Sequence, residues 1–299
     1  MAATATAADG QVAPASPVGG RMRRWMPYIL LAPGVLWLLL FFFVPMLTLF
    51  QTSLQEGSLQ QGYVLTWRWA NYTDALSEFA PQYIRSFFYA AVATISALLL
   101  GYPLAYFIAF RAGRFRNVFL LLVVMPLLVS FLVRTLAWKI ILADQGFVVE
   151  ALKAVGILPQ SGRLLATSWA VVAGLMYNYL PFMVLPLYAS LEKISPQLIE
   201  AAHDLYASPT TAFRKVTFPL SLPGVVAGTL LMFIPAAGDF VHARFLGTPS
   251  QYMIGNVIDS RFLVVLDYPV AAALSFVLMA TILVMVLIYL TRVDVEDVL

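Results

Sequence analysis

Residues 195–225 read SPQLIEAAHDLYASPTTAFRKVTFPLSLPGV. This is the one substantial polar stretch in the second half of the chain that also patterns as folded structure. Ser195 can cap a helix, and Pro196 suits its first turn, where a missing N–H costs nothing. Leu198, Ala202 and Leu205 then fall on one face at helical spacing, while Glu200, His203 and Asp204 lie elsewhere. Ser208-Pro209 repeats the start signal. A second short helix carries Phe213 and Val216 on its apolar side and Arg214 and Lys215 on its wet side. Phe218-Pro219 is expected to end it, because proline disfavours helix in the residue before it. The reading is two short amphipathic helices joined by a turn and held between long apolar segments.

Those flanking segments set the fold class. The 299-residue chain is 61% hydrophobic and only 11% charged. A soluble domain carries roughly 25% charged residues, so this chain cannot cover a water-facing surface and belongs in a bilayer. Apolar runs long enough to span one, which takes about 20 residues, occupy 27–50, 84–110, 117–142, 168–190, 222–240 and 268–291. The expected fold is an all-α integral membrane protein with six transmembrane helices over residues 25–292. A disordered basic tail (1–24) precedes them and a short tail (293–299) follows. Pro103, Pro126, Pro181, Pro186 and Pro235 interrupt the runs, where kinks rather than ends are expected. The first run exceeds a signal-peptide core, and no clear cleavage site follows it.

Basic residues orient the spans. Arg21, Arg23 and Arg24 precede the first. Arg111, Arg114 and Arg116 fill the connection between the second and third. Both clusters belong on the cytoplasmic side, and an even number of spans separates them. Counting on, the 195–220 loop between helices four and five is also cytoplasmic, as are both termini. The C-terminal tail, with one basic residue (Arg292) against the acidic Asp294, Glu296 and Asp297, is inside by parity, and acidic residues count little in this rule. Segments 51–83, 143–167 and 241–267 lie outside and are expected to pack as lids. Trp25, Tyr28 and Trp37 look like interface anchors, in contact with membrane lipid.

The 195–225 stretch resembles the EAA loop of bacterial ABC-importer permeases. The resemblance lies in Glu200-Ala201-Ala202, Leu205, Ala207-Ser208, Phe213, Val216, Pro219-Leu220 and Pro223-Gly224. It implies a coupling helix, residues Glu200, Ala201, Ala202, His203, Asp204, Leu205, Tyr206, Ala207 and Ser208, that docks on a cytoplasmic ATPase. Tyr206 departs from the family's usual glycine. That glycine eases a turn with positive φ, which a tyrosine resists, so a differently built turn is expected. Ser130–Trp138, Gly238-Asp239-Phe240, Met253–Asn256 and Ala273–Leu278 look like the spermidine/putrescine branch of these permeases. Branches moving iron, thiosulfate or phosphonate share much of the pattern.

Charges at membrane depth are costly and point to function. Arg134 can snorkel, pair with a carboxylate, or shape the outer mouth of a pathway. Asp239 can attract a cationic solute, cap a helix, or pair with Arg134. Tyr177, Asn178 and Tyr179, with Phe182, form an aromatic-polar belt that can pack or hold ammonium groups by cation–π contact. With Trp138 these are the candidate pathway residues. Glu192 and Lys193 are expected to form a solvated pair. There is no cysteine, so disulfides and Cys-ligated metal centres are excluded. His203 and His242 are too few for a metal site. No G-x-x-x-x-G-K-[ST] motif is present, so nucleotide hydrolysis falls to another chain.

The resemblance therefore implies a permease subunit of a polyamine importer, not an enzyme, in a bacterial plasma membrane. It implies a second permease (a paralogue or a copy of this chain), two ATPases holding ATP and Mg, and an extracytoplasmic binding protein. This chain needs no cofactor and no nucleic acid. A channel or secondary transporter acting without ATP is the rival; no internal repeat supports it. A membrane enzyme would need a cluster of acids, histidines or a nucleophile, and none is evident.

Overall fold

Two prolines sit within long apolar helices without ending them, because the backbone widens just before each. Pro45 and Pro219 lack an N–H, and each ring would collide with the carbonyl four residues back. A π-turn precedes both. Leu39–Phe43 is closed by Val44 N–H to the Leu39 carbonyl, and Phe213–Thr217 by Phe218 N–H to the Phe213 carbonyl. The wider turn moves the obstructing carbonyl aside.

The structure, a computed structural model, describes residues 20–292, with side chains from 26 to 291. The expected tail up to residue 19, the C-terminal tail 293–299, and the side chains of Arg21, Arg23, Arg24, Trp25 and Arg292 lie outside the described residues.

The chain divides into Met1–Leu49 and Phe50–Leu299. The first unit holds α1 (Gly20–Leu38), the first π-turn and the start of α2 (Val44–Ser53). Every side chain from Met26 to Pro45 is exposed, and Met26–Ser53 is long and apolar enough to cross a membrane. A helix apolar on all sides needs lipid or protein around it.

The second unit opens with a feature outside the all-α expectation, the antiparallel hairpin β1 (Gln55–Ser58) and β2 (Gly62–Leu65), with Gln55 opposite Leu65. Helix α3 (Ala70–Phe110) starts well before the apolar run at 84, and kinks at Phe79, two residues ahead of Pro81. The third span is broken. Helix α4 (Arg116–Val124) and a 3-10 turn (Met125–Leu128) end at the extended residues Val129 and Ser130. Then α5 (Phe131–Ile141) departs at 95°. Helix α6 (Phe147–Ala154) and α7 (Ser168–Glu192) follow, then α8 (Pro196–Asp204), α9 (Pro209–Ala212) and α10 (Phe218–Ala237). Helices α11 (Val241–Leu246), α12 (Ile254–Leu263) and α13 (Tyr268–Arg292) complete it. Five helices among the described residues can cross a membrane, six when the bent α4–α5 pair counts as one.

Helices α3, α7 and α10 form the core. Ala90, Ala93, Ala97 and Ala105 of α3 are fully buried. On α10, a Cβ at Gly224 would stand 2.6 Å from Ser190 Cβ and 2.7 Å from the Pro186 carbonyl. One at Gly228 would meet Met183 Sδ at 2.9 Å and its carbonyl at 3.0 Å. Gly224-Val-Val-Ala-Gly228 is thus a small-xxx-small face that lets the two backbones close.

Candidate functional site

The coupling segment is built between these two tightly packed helices. Ser195 takes the cap position of α8 with extended backbone, but its hydroxyl bonds the Gln197 side chain rather than a helix N–H. Leu205 and Tyr206 end the helix. Ala207 N–H reaches the Ala202 carbonyl at 3.0 Å, and Tyr206 N–H the His203 carbonyl at 2.9 Å. This is a Schellman closure, which requires a left-handed residue at Tyr206. Tyr206 supplies it, with φ of 58°. The expectation of a differently built turn is corrected: the tyrosine adopts the glycine conformation and accepts roughly 1–2 kcal/mol of backbone strain. His203 Nδ1 lies 3.1 Å from the Ala207 carbonyl and steadies the same turn.

Ser208 caps α9, accepting from Thr211 N–H at 3.3 Å. The expected helix end at Pro219 does not occur. Through the π-turn, Pro209–Ala237 is one 29-residue span, so the loop is continuous with span five. Phe213 packs edge-on against Tyr102 at 5.7 Å, and Tyr102 OH lies 2.7 Å from Ser221 Oγ, tying the segment to α3. Arg214 and Lys215 face outward as expected. Glu192 pairs with Arg116, whose guanidinium also stands 5.2 Å from the Tyr188 ring, and not with Lys193. That contact puts the basic 111–116 connection and the coupling segment at the same end of the unit.

The outer surface of the segment is uncovered. Leu205 is 82% and Tyr206 99% exposed, and Leu198 is about half exposed. Glu200, Asp204, Arg214 and Lys215 are exposed and make no ion pair among the described residues. Ala201 is exposed, and Ala202 and Ala207 half-buried.

A second assembly of polar groups lies where α5, α7 and the α10–α11 junction meet. Asp239 is buried and serves as a cap for α11: its Oδ1 accepts His242 N–H at 2.9 Å. Its Oδ2 lies 3.0 Å from His242 Nδ1 and accepts Tyr179 OH at 3.2 Å. His242 is fully buried, and Asn178 Nδ2 donates to its Nε2 at 2.5 Å. Both ring nitrogens of His242 are thus engaged, Nδ1 toward Asp239 and Nε2 toward the Asn178 amide. The expected alternative of an Arg134–Asp239 pair is not made. Arg134 instead donates weakly to the Asn178 carbonyl at 3.5 Å and lies 5.9 Å from the Phe131 ring.

Of the candidate pathway residues, Arg134, Asn178, Tyr179 and Asp239 are brought together. Trp138 and Tyr177 form their own edge-on pair at 5.2 Å. Arg134, Asn178, Tyr179 and Phe182 share a cavity of about 610 Å³ with the break of the third span, Leu127–Phe131. His242 was not a candidate in the sequence reading, and nothing in its apolar surroundings, Val241 and Ala243, marks it. The sequence segments around Asp239 and Met253 meet here too. Asn256 Nδ2 donates to the Phe240 carbonyl at 2.7 Å, and a Cβ on Gly255 would stand 2.6 Å from the Gly238 carbonyl.

Comparison with known proteins agrees with this architecture. Residues 97–293 match the family described as binding-protein-dependent transport system inner membrane component. The chain is 38% identical over 257 residues to a spermidine/putrescine transport system permease protein, PotB, of Salmonella typhimurium, covering 85% of this chain and 88% of that protein. Its counterpart in Escherichia coli is 37% identical, with 85% and 92% covered. The inner membrane ABC transporter permease protein YdcU of E. coli is 33% identical over 65% of this chain and 66% of its own. Among solved structures, a chain of a bacterial alginate ABC transporter in complex with a pentasaccharide-bound periplasmic protein superposes with a TM-score of 0.70. It shares 19% identity over 92% of this chain and 96% of that one, a likeness of fold.

Proposed function

The chain belongs to the family of binding-protein-dependent transport system inner membrane components, and from that premise we propose that it carries polyamines such as spermidine or putrescine inward through a bacterial importer. It is a multi-pass membrane transport subunit and not an enzyme; ATP hydrolysis belongs to a partner. In the proposed assembly a second permease stands beside it, two ATPases bind ATP and Mg on the cytoplasmic side, and a binding protein delivers solute from outside. Both termini and the 195–220 segment face the cytoplasm.

One observation carries the coupling reading: the exposed turn at Tyr206 joins α8, which holds Glu200, directly to Pro209–Ala237, an unbroken span locked against span four at Gly224 and Gly228. A push on α8 therefore moves α7 and α10 together. Glu200 offers an ATPase a charge-assisted contact, and Leu205 and Tyr206 an apolar one. The substrate class is supported by the relatives' names and by Phe131, Tyr179 and Phe182, whose ring faces can hold ammonium groups. Asp239 acts through Tyr179 and His242, since both its oxygens are already engaged.

The test is reconstitution. The chain is purified with its neighbouring gene products in nanodiscs, and ATPase stimulation is read across binding protein loaded with spermidine, putrescine, thiosulfate or a phosphonate. Stimulation by the polyamines alone is expected. Stimulation by another solute class, or uptake driven by an ion gradient without ATP, overturns the reading.

A further inference from the structure

The cavity at the break of the third span holds a positive charge that no acidic side chain among the described residues pairs with. Arg134 is 91% buried by its 9% exposure, lines the cavity, and has an Nε with no hydrogen-bond partner. It makes no ion pair among the described residues. The carboxylate in the same cluster, Asp239, is occupied by His242 and Tyr179. The amino end of α5, with Ser130 extended at its start, opens on the same cavity and adds positive potential rather than removing it. Asn178 Oδ1 is also buried without a partner beside it. A buried guanidinium left in this state is strongly unfavourable; a buried charge is stable only when paired and hydrogen-bonded.

We infer that this cavity receives a carboxylate side chain from the second permease of the assembly, and that Arg134 is its ion-pair partner. The inference rests on the importer reading only in needing a second permease. Leu128 and Val129 on the cavity rim are exposed, so the cavity opens at the surface of this chain. A planar guanidinium with a free Nε edge suits side-on capture of a carboxylate. Solute need not be present for the pair to form. In a polyamine importer the arginine then holds the place of a substrate ammonium on the partner's acid while the pathway is empty. Polyamine must displace it.

The experiment uses the whole complex in nanodiscs. A photo-crosslinking phenylalanine analogue at Leu128 captures its neighbour without solute, and peptide mapping locates the crosslink. Capture of a partner-permease segment containing Asp or Glu is expected. Arg134→Gln then lowers recovery of the assembled complex about tenfold, because it strands the partner's acid. Replacing that acid by its amide as well restores recovery to within about threefold of wild type, since removing both members of a buried pair is close to neutral. Arg134→Lys gives an intermediate result. Capture of lipid, an intramolecular crosslink with no adduct between two permease chains, or equal losses in the single and double variants, overturns the inference. So does stabilisation of the wild-type complex, but not of Arg134→Gln, by free succinate. The crosslink and the rescue are read without transport, so a complex that ignores polyamines but shows both retains the pair and loses only the substrate.

Discussion

Gly224 and Ser190 approach so closely that a Cβ on the glycine would stand 2.6 Å from Ser190 Cβ, with the Pro186 carbonyl at 2.7 Å on its other side. One neighbour is backbone and cannot turn away. This contact fastens span five to span four just above the segment that joins them.

Gly224→Val should therefore force the helices apart. Overpacking a well-filled core costs about 1–3 kcal/mol, and thermal unfolding of the purified complex should register the loss. Coupling should fall further than stability, so that ATP is hydrolysed with less uptake per turnover. Val at the neighbouring Pro223, which is half-buried, serves as the contrast and should leave the ratio of uptake to hydrolysis near wild type.

The buried histidine makes a second prediction. His242→Ala leaves the Asp239 carboxylate without its Nδ1 partner and Asn178 without its acceptor. Leaving a buried polar group without its hydrogen-bond partner costs roughly 1–3 kcal/mol, more when it is charged. Asp239→Asn keeps a carbonyl oxygen for the α11 cap and removes the charge, so it should cost less. Chemical denaturation of the two variants in detergent gives the order; a reversed order would show that the carboxylate is satisfied by other means.

How far the sequence alone revealed this arrangement differs by element. The apolar runs located the spans, since burying them requires lipid; Ser195-Pro196 located the start of α8 and Ser208-Pro209 that of α9. Pro126 marked a kink in the third span, but the full 95° break three residues on was not legible, because the residues on both sides are equally apolar. Pro219 was misread as a stop because sequence shows the missing N–H but not the π-turn that accommodates it. The first third of α3 was missed because Asp74, Glu78 and Gln82 give it no apolar run. Arg134, Asn178, Tyr179 and Asp239 were named from their residue types. Their assembly was not legible, since it depends on His242, whose immediate neighbours Val241 and Ala243 are apolar.

Tyr206 provides a third prediction. Its φ of 58° is disfavoured for side chains and most of all for β-branched ones. Tyr206→Gly should keep or raise the thermal stability of the chain, while Tyr206→Ile should lower it by about 1–2 kcal/mol. If the exposed ring contacts the ATPase, the glycine variant should also weaken ATPase co-purification despite its stable fold. Full ATPase retention in that variant would remove the ring from the docking surface.

Glu200 is exposed and makes no ion pair among the described residues, so its loss should spare the fold. Glu200→Ala is expected to insert normally and to lower both uptake and solute-stimulated ATPase activity about tenfold, the scale of one charge-assisted contact. Glu200→Gln should fall between. Wild-type uptake in the alanine variant would take the residue out of the coupling role.

The central claim is that the Tyr206 turn meets the ATPase on the cytoplasmic side. The chain has no cysteine, so Tyr206→Cys introduces a unique thiol at its most exposed point. The direct measurement is its labelling by a membrane-impermeant maleimide in sealed vesicles of each orientation, with and without the ATPase. The account predicts labelling in inside-out vesicles only, and protection when the ATPase is bound. Labelling in right-side-out vesicles, or no protection by the ATPase, would contradict it.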